Sequence, residues 1–353
     1  MKDKVKRLGI LGGGQLGRMS AQAASVLGIE TIIYTDVADG PASQVATKAY
    51  VGGYDDNDLL AQFAQEVDVI SYEFENIPLT TIDFLQTHKP VHPNAQLLGV
   101  SQHRLKEKTF LNDLGIKTAQ WRAVSNMEDI NETLDMWGTS SCIVKTCQFG
   151  YDGKGQARVS KSDTLPEFGT PDLIAEEIIN FDYEVSIIVA RDAKGGCEFY
   201  GPVRNTHKNH ILDVTTAPAP DIDKPLSRNA RAMVQKIAEA LDVIGILTLE
   251  LFVTKDGVLL ANEIAPRTHN SGHYSMDACN VSQFENHVRC VCGMDVLPPA
   301  QHSNAQMINL IGDDIEHLDR FKDMENATIH LYGKDVAKPG RKMGHVNIIG
   351  DKL

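Results

Sequence analysis

The stretch that most constrains the fold lies at the start of the chain, where the apolar run Leu8-Gly9-Ile10-Leu11 is followed at once by Gly12-Gly13-Gly14-Gln15-Leu16-Gly17. A short apolar run, then glycines, then Leu16, Met19, Ala23 and Val26/Leu27 at helical spacing predicts strand, tight turn and helix, with Gly28 ending the helix. Residues 31–34 and 67–71 are strand-like, and 58–66 is helical with Leu59, Leu60 and Phe63 on one face. Strand and helix alternating in this way predict a parallel sheet covered by helices on both faces. Gly12, Gly14 and Gly17, with Asp36 nineteen residues beyond Gly17, also satisfy the dinucleotide fingerprint. Physically the fingerprint guarantees less: backbone N–H groups at a helix N-terminus that attract some anion or polar group.

Near residue 100 the pattern changes. A helix over 103–114, closed by Gly115, is followed by strand-like segments at 120–124, 142–146, 173–179, 184–190 and 198–203, an α+β pattern. A long helix over 226–241 leads into strands 246–253 and 258–264 around Asp256-Gly257, a hairpin. Pro298-Pro299 marks the last boundary, and the tail from Ala305 is too short to stand alone, so it is expected to pack on the first two domains. With 353 residues the chain has room for two or three units of roughly 150 residues.

Charge and cysteine content exclude several function classes. The net charge of −13 argues against a general nucleic-acid or membrane-surface binder, because release of counterions needs a basic face. Six cysteines, at 142, 147, 197, 279, 290 and 292, are too sparse for a disulfide scaffold, and Cys290-Val291-Cys292 fits a reduced, partly buried pair better than a metal knuckle. The apolar run after the basic start is too short for a signal segment, and nothing approaches the ~18 apolar residues of a membrane span. A reducing cytoplasm is the expected compartment.

Four further motifs carry chemistry. Gly150-Tyr151-Asp152-Gly153-Lys154-Gly155-Gln156 follows the strand that holds Lys145. Its glycines let the backbone fold closely over a polyphosphate that Lys145 and Lys154 neutralise, without the spacing of a P-loop; the plainer alternative is a glycine-rich hairpin turn. In the hairpin, a two-residue Asp256-Gly257 turn pairs Lys255 with Val258 and so sets Glu250 opposite Glu263. Facing carboxylates repel unless a cation lies between them, and oxygen ligands beside a phosphate site suit Mg2+. In Ala265-Pro266-Arg267-Thr268-His269-Asn270-Ser271-Gly272-His273, the two histidines are four apart, but the Asn-Ser-Gly between them favours an anion- and substrate-recognising loop over zinc. Residues 334–342 hold four basic side chains against one acidic, a local reversal suited to a phosphate monoester.

Together these residues resemble the ATP-grasp superfamily, and within it the N5-carboxyaminoimidazole ribonucleotide synthetase family of purine biosynthesis, over nearly the whole chain. The resemblance rests on Gly12 to Met19, Glu73-Phe74-Glu75-Asn76, Lys145-Thr146 with Gly150 to Gln156, Asn262-Glu263 through Asn270-Ser271-Gly272-His273, and Arg341-Lys342-Met343-Gly344-His345. It implies an α/β and α+β chain with an ATP-grasp fold. Residues 1–102 would form a Rossmann-like, pre-ATP-grasp parallel-sheet domain for substrate, and 103–297 the ATP-grasp domain with a lid at about 120–185. Residues 298–353 would form a small β-rich segment that contributes to the substrate phosphate site.

The implied reaction is ATP-dependent phosphorylation of bicarbonate to carboxyphosphate, then carboxylation of the amine of 5-aminoimidazole ribonucleotide, releasing ADP and phosphate. By resemblance, Arg104 and Lys145 contact the ATP phosphates and Gly150, Tyr151, Asp152, Gly153, Lys154, Gly155 and Gln156 cover them. Glu176, Glu177, Ile178 and Ile179 hold adenine through the backbone, Glu184 binds ribose, and His207 lies near the nucleotide. Glu250 and Glu263 carry Mg2+, two ions, with Asn262 beside them. Gln15, Leu16, Glu73, Asn270, Lys334, Arg341 and Lys342 meet the ribonucleotide, while Arg267 and His273 join Lys145 as catalytic groups around bicarbonate and carboxyphosphate. ATP and Mg2+ are the implied cofactors, with no NAD and no biotin; the partners are small molecules, with no nucleic acid or membrane, and the assembly is a homodimer. The alternatives are the formate-dependent glycinamide ribonucleotide transformylase family, an NAD dehydrogenase resting on the first motif alone, and a non-catalytic nucleotide sensor.

Overall fold

A computed structural model describes residues 5–150, 153–220 and 222–351. Strands β1 (Arg7–Leu11), β2 (Glu30–Thr35), β3 (Lys48–Val51) and β4 (Val69–Tyr72) form an all-parallel sheet in the order β3-β2-β1-β4. Helices α1 (Gln15–Val26), α2 (Asn57–Glu66), α3 (Leu79–Gln86) and α4 (Ala95–Ser101) belong to the same unit. Alternating side chains send Leu8, Ile10 and Ile33 to one face with Ala24 of α1, and Leu11, Ile32 and Tyr34 to the other with Leu60 and Phe63 of α2. Val26 departs from the predicted apolar face: it is 84% exposed as the last residue of α1, two residues beyond Ala24, where the buried stripe ends.

Helix α5 (Arg104–Asp113) leads to a second sheet of β5 (Trp121–Val124), β6 (Ser141–Thr146), β7 (Gln156–Ser160) and β8 (Leu173–Glu176), ordered β5-β8-β6-β7 and packed on α6 (Met127–Trp137). The third sheet has eight strands: β9 (Phe181–Arg191), β10 (Cys197–Lys208), β11 (Ile211–Ala217), β12 (Gly245–Thr254), β13 (Leu259–Ala265), β14 (Asn304–Ile311), β15 (Ala327–Leu331) and β16 (Lys342–Gly350). Its order is β13-β12-β9-β10-β11-β14-β16-β15. The tail therefore does more than pack on earlier units, because β14 pairs antiparallel with β11 and continues the sheet. Val185, Ile187 and Val189 of β9 and Leu247, Leu249 and Leu251 of β12 face α7 (Lys224–Ala240) through Ala230, Val234 and Ile237. After the short α8 (Ser275–Ala278), helix α9 (Gln283–Val291) places Val288 and Val291 on the α1 face of the first sheet and so joins the two units. All six cysteines are free. Among the described residues no helix is long and apolar enough to cross a membrane.

Candidate active site

The glycine turn is filled from within the chain. Gly14 N donates to Glu73 Oε1 at 2.6 Å and Gly17 N donates to Glu73 Oε2 at 3.0 Å, so a carboxylate from the end of β4 takes the anion position at the start of α1. A Cβ on Gly14 would stand 2.5 Å from Glu73 Oε1, which explains the missing side chain there. A dinucleotide pyrophosphate would have to displace this carboxylate. Of the three substrate contacts expected here, Gln15 is partly exposed in the first turn of α1. Leu16 instead packs its side chain with Met19, Phe284 and Tyr332, and Glu73 is committed to the turn. Glu73→Ala should cost at least about 1–3 kcal/mol, because it strands buried amide donors; an unchanged urea midpoint would refute the anchoring role, and Glu73→Gln should fall between.

A cationic cluster forms where α5 meets the second sheet. Arg104 and Lys108 lie one turn apart on α5, on one face. Lys145 Nζ is 2.6 Å from Glu176 Oε2 and Lys108 Nζ is 3.5 Å from Glu176 Oε1, with Lys108 1% and Glu176 5% exposed. Arg104 Nη1 reaches Glu263 Oε2 at 3.4 Å. Three cations thus share two carboxylates. Burial would raise the Glu176 carboxyl, yet Lys108 and Lys145 hold it at about 2. Burial, reinforced by Arg104 and Lys108, pulls Lys145 down against the pull of Glu176.

The glycine loop sits over this cluster. A Cβ on Gly150 would lie 3.3 Å from Arg104 Nη2, and Gly155 O accepts from Thr146 N at 2.8 Å. Gly153 abuts His210 of the β10–β11 turn, Lys154 follows it, and Gln156 pairs with Lys145. Tyr151 and Asp152 lie outside the described residues. Glu176 ends β8 and its side chain serves the cations; Glu177, Ile178 and Ile179 run on without regular structure, Glu177 N donating to Gln120 O at 2.9 Å. Glu184 Oε2 lies 3.3 Å from His207 Nδ1. Burial opposes the charged form of His207, but Glu184 outweighs it and raises the imidazole above its ordinary value.

The carboxylate hairpin has the predicted pairing with a different cause. Glu250 does stand opposite Glu263, but nearer the turn Val253 pairs with Leu259 and Leu251 with Ala261, one position off the predicted register. The connection is a three-residue loop, Lys255 to Gly257, with Gly257 at φ +72, and a bulge at Asn262 restores the register. The bulge is pinned by neighbours: Lys108 Nζ donates to Asn262 O at 2.9 Å, Ala261 N donates to Lys117 O at 2.8 Å, and Ile264 N donates to Glu107 Oε1 at 2.6 Å. Two carboxylates on adjacent strands, one 15% and the other 43% exposed, offer the oxygen donors that Mg2+ prefers.

The loop after β13 closes the site. Arg267 Nε donates to Glu75 Oε2 at 2.7 Å, so Glu75 aims the guanidinium. His269 Nε2 lies 3.0 Å from Glu250 Oε1; burial would raise Glu250, but His269 keeps it ionised. Among the described residues, neither of the buried amide atoms of Asn270 has a hydrogen-bond partner. His273, expected to act with Arg267, is enclosed. It is 1% exposed, packed against Phe284, His345 and Tyr332, with Nδ1 3.1 Å from Gln283 Nε2. Burial drives it well below the usual imidazole range, so it is neutral and enclosed.

The basic segment docks beside α1 through Gln44 Nε2, which donates to Gly333 O at 2.8 Å, while Arg18 Nη1 donates to Gln44 Oε1 at 2.8 Å. Lys334 Nζ donates to Lys342 O at 2.7 Å, and burial, then Arg341, pull Lys334 down to about 8. Sequence reasoning missed Lys108, Glu75 and His269. The first was signalled by its i,i+4 relation to Arg104, the second by its place in Glu73-Phe74-Glu75-Asn76, and the third by the rival histidine four residues on.

A glycine-rich loop beside buried lysines and a carboxylate hairpin is the arrangement of an ATP-grasp enzyme, and a family model described as the ATP-grasp domain matches residues 109–284. The ribonucleotide synthetase preATP-grasp domain matches 5–102, and the phosphoribosylaminoimidazole carboxylase C-terminal domain matches 305–353. The N5-carboxyaminoimidazole ribonucleotide synthase of Brucella melitensis is 45% identical over 348 residues, 97% of this chain and 96% of that protein. Among solved structures, N5-carboxyaminoimidazole synthetase from Staphylococcus aureus complexed with ADP superposes with a TM-score of 0.93 at 36% identity, covering 99% of this chain and 94% of that one. The Aspergillus clavatus enzyme in complex with ADP and 5-aminoimidazole ribonucleotide gives 0.89 at 26%, covering 99% and 94%. The chain belongs to the N5-carboxyaminoimidazole ribonucleotide synthase family, a family of ATP-dependent ligases.

Proposed function

We propose that this chain carboxylates 5-aminoimidazole ribonucleotide on its exocyclic amine, using ATP and bicarbonate and releasing ADP and phosphate. The observation that carries this reading is the presence of two groups of cations, Arg104/Lys108/Lys145 around Glu176 and Glu263 and Lys334/Arg341/Lys342 in the C-terminal segment, together with Arg267 and Asn270 in the loop after β13. One suits a polyphosphate and the other a phosphate monoester.

Arg104 and Lys145 hold the ATP phosphates, the loop from Gly150 to Gln156 excludes water, Glu184 takes the ribose, and residues 176–179 border the adenine. Mg2+ bound by Glu250 and Glu263 would neutralise charge on the phosphoryl oxygens. Arg267, held by Glu75, orients bicarbonate so that its oxygen attacks the γ-phosphorus as ADP leaves, and His269 rather than His273 is the ring beside this step. The resulting carboxyphosphate releases CO2 and phosphate; the amine nitrogen then bonds to the carbon and loses a proton. Asn270 and Gln15 position the ribonucleotide, and Lys334, Arg341 and Lys342 hold its phosphate.

Phosphate release is expected only when ATP, Mg2+, bicarbonate and 5-aminoimidazole ribonucleotide are all present. Release that needs formate and ignores bicarbonate would assign the chain to the formate-dependent branch instead. The resemblance also favours a homodimer, which sedimentation at micromolar concentration tests directly.

A further inference from the structure

We infer that His103, Cys147 and Asp172 form a site for a zinc-class divalent cation before Arg104, where a bound ion restrains the start of α5 against β6 and β8. His103 Nε2 lies 3.1 Å from Asp172 Oδ2, and one ligand atom from each of the three residues lies within 4.8 Å of the others. Tetrahedral zinc with bonds of roughly 2.0–2.3 Å needs ligand atoms roughly 3.3–3.8 Å apart, so small rotations suffice. The backbone already fixes the three residues together: Arg104 N donates to Cys147 O at 2.9 Å and Cys147 N donates to Asp172 O at 3.0 Å. Cys147 is 1% exposed, and the Nδ1 of His103 is buried without a partner.

The chemistry selects the ion. Imidazole, thiolate and carboxylate together suit zinc or cobalt and leave a fourth position for water, while Mg2+ disfavours sulfur. Binding exchanges the Cys147 S–H bond for a sulfur–metal bond and releases that proton to solvent. With Cys147 a thiol and Asp172 a carboxylate the empty site carries one negative charge, and uptake of the ion with loss of the thiol proton brings it to neutral.

Position gives the consequence. His103 precedes Arg104, Cys147 follows Thr146 and stands three residues before Gly150, and Asp172 precedes β8. An ion here ties the end of β6 and the start of β8 to the start of α5, which carries Arg104, and restricts their relative movement, which slows turnover.

The binding test uses the full chain without nucleotide, so the site stands or falls apart from the reaction proposed above. One equivalent of Co2+ should produce a thiolate-to-cobalt charge-transfer band in the near ultraviolet, removed by Zn2+. Cys147→Ser should abolish the band, and the surface-accessible Asp172→Asn, which tests the site even if Cys147→Ser misfolds, should weaken binding by more than about tenfold. With excess Mg2+ present, one equivalent of Zn2+ should slow ATP turnover of the unaltered chain several-fold, reversed by a zinc-selective chelator, and leave Asp172→Asn unaffected. No band with Co2+, or binding undiminished in Asp172→Asn, would overturn the site; binding without any change in turnover would overturn the restraint.

Discussion

Glu263→Ala is expected to lower ATP-dependent turnover on the order of 100- to 1,000-fold, the loss that follows removal of one preorganised group facing developing charge. Its fold should survive, because the side chain is 43% exposed and its contact with Arg104 is long at 3.4 Å. Glu250→Ala should lose as much turnover and also lower stability, since Glu250 is 15% exposed and faces His269 at 3.0 Å. The pair separates a metal-binding role from a structural one. ADP formation measured beside urea midpoints reads both, and turnover within a few-fold of the parent in Glu263→Ala would remove the hairpin from the mechanism.

The second large effect falls on stability. Glu176→Ala leaves Lys108 and Lys145 facing each other in the interior without their shared carboxylate, and uncompensated buried charge of this kind costs about 3–5 kcal/mol. The parent chain should show the pH signature of the same group. Its folded carboxyl is depressed to about 2 from 4.5, so the stabilisation is complete above about 4.5 and is lost as pH falls towards 2. Glu176→Ala should lack that acid-dependent component. ATP, whose phosphates would supply the missing negative charge, should also raise the melting temperature of the variant more than that of the parent. Equal unfolding midpoints for variant and parent would show that the lysines are solvated in practice.

Much of this was legible locally. The alternation of strand and helix around Gly12 to Gly17, the closure of α5 at Gly115 and the glycine loop after Lys145 all follow from periodicity and turn chemistry within a dozen residues. Helices α3, α4, α6, α8 and α9 and strands β3 and β11 carry weaker patterns and do not emerge from the sequence. The Glu250–Glu263 pairing was reached through a turn that does not form. Loop length moved the register one way and the Asn262 bulge moved it back, and the bulge depends on Lys108 and Glu107, more than 150 residues earlier. Nothing within the hairpin itself encodes that compensation.

By itself the sequence determined the strongly patterned elements, the glycine turns and the two opposite local charge patterns inside a chain of net charge −13, because periodicity, turn residues and charge are properties of near neighbours. Only the tertiary structure decided what those features face. It put Glu73 rather than a cofactor in the first glycine turn, set Glu176 between Lys108 and Lys145, turned His269 towards Glu250, and buried His273 behind Tyr332 and Phe284. Each of these pairings joins residues from separate elements. Their partners are chosen by how sheets and helices pack, and a local pattern of residues carries no information about that choice.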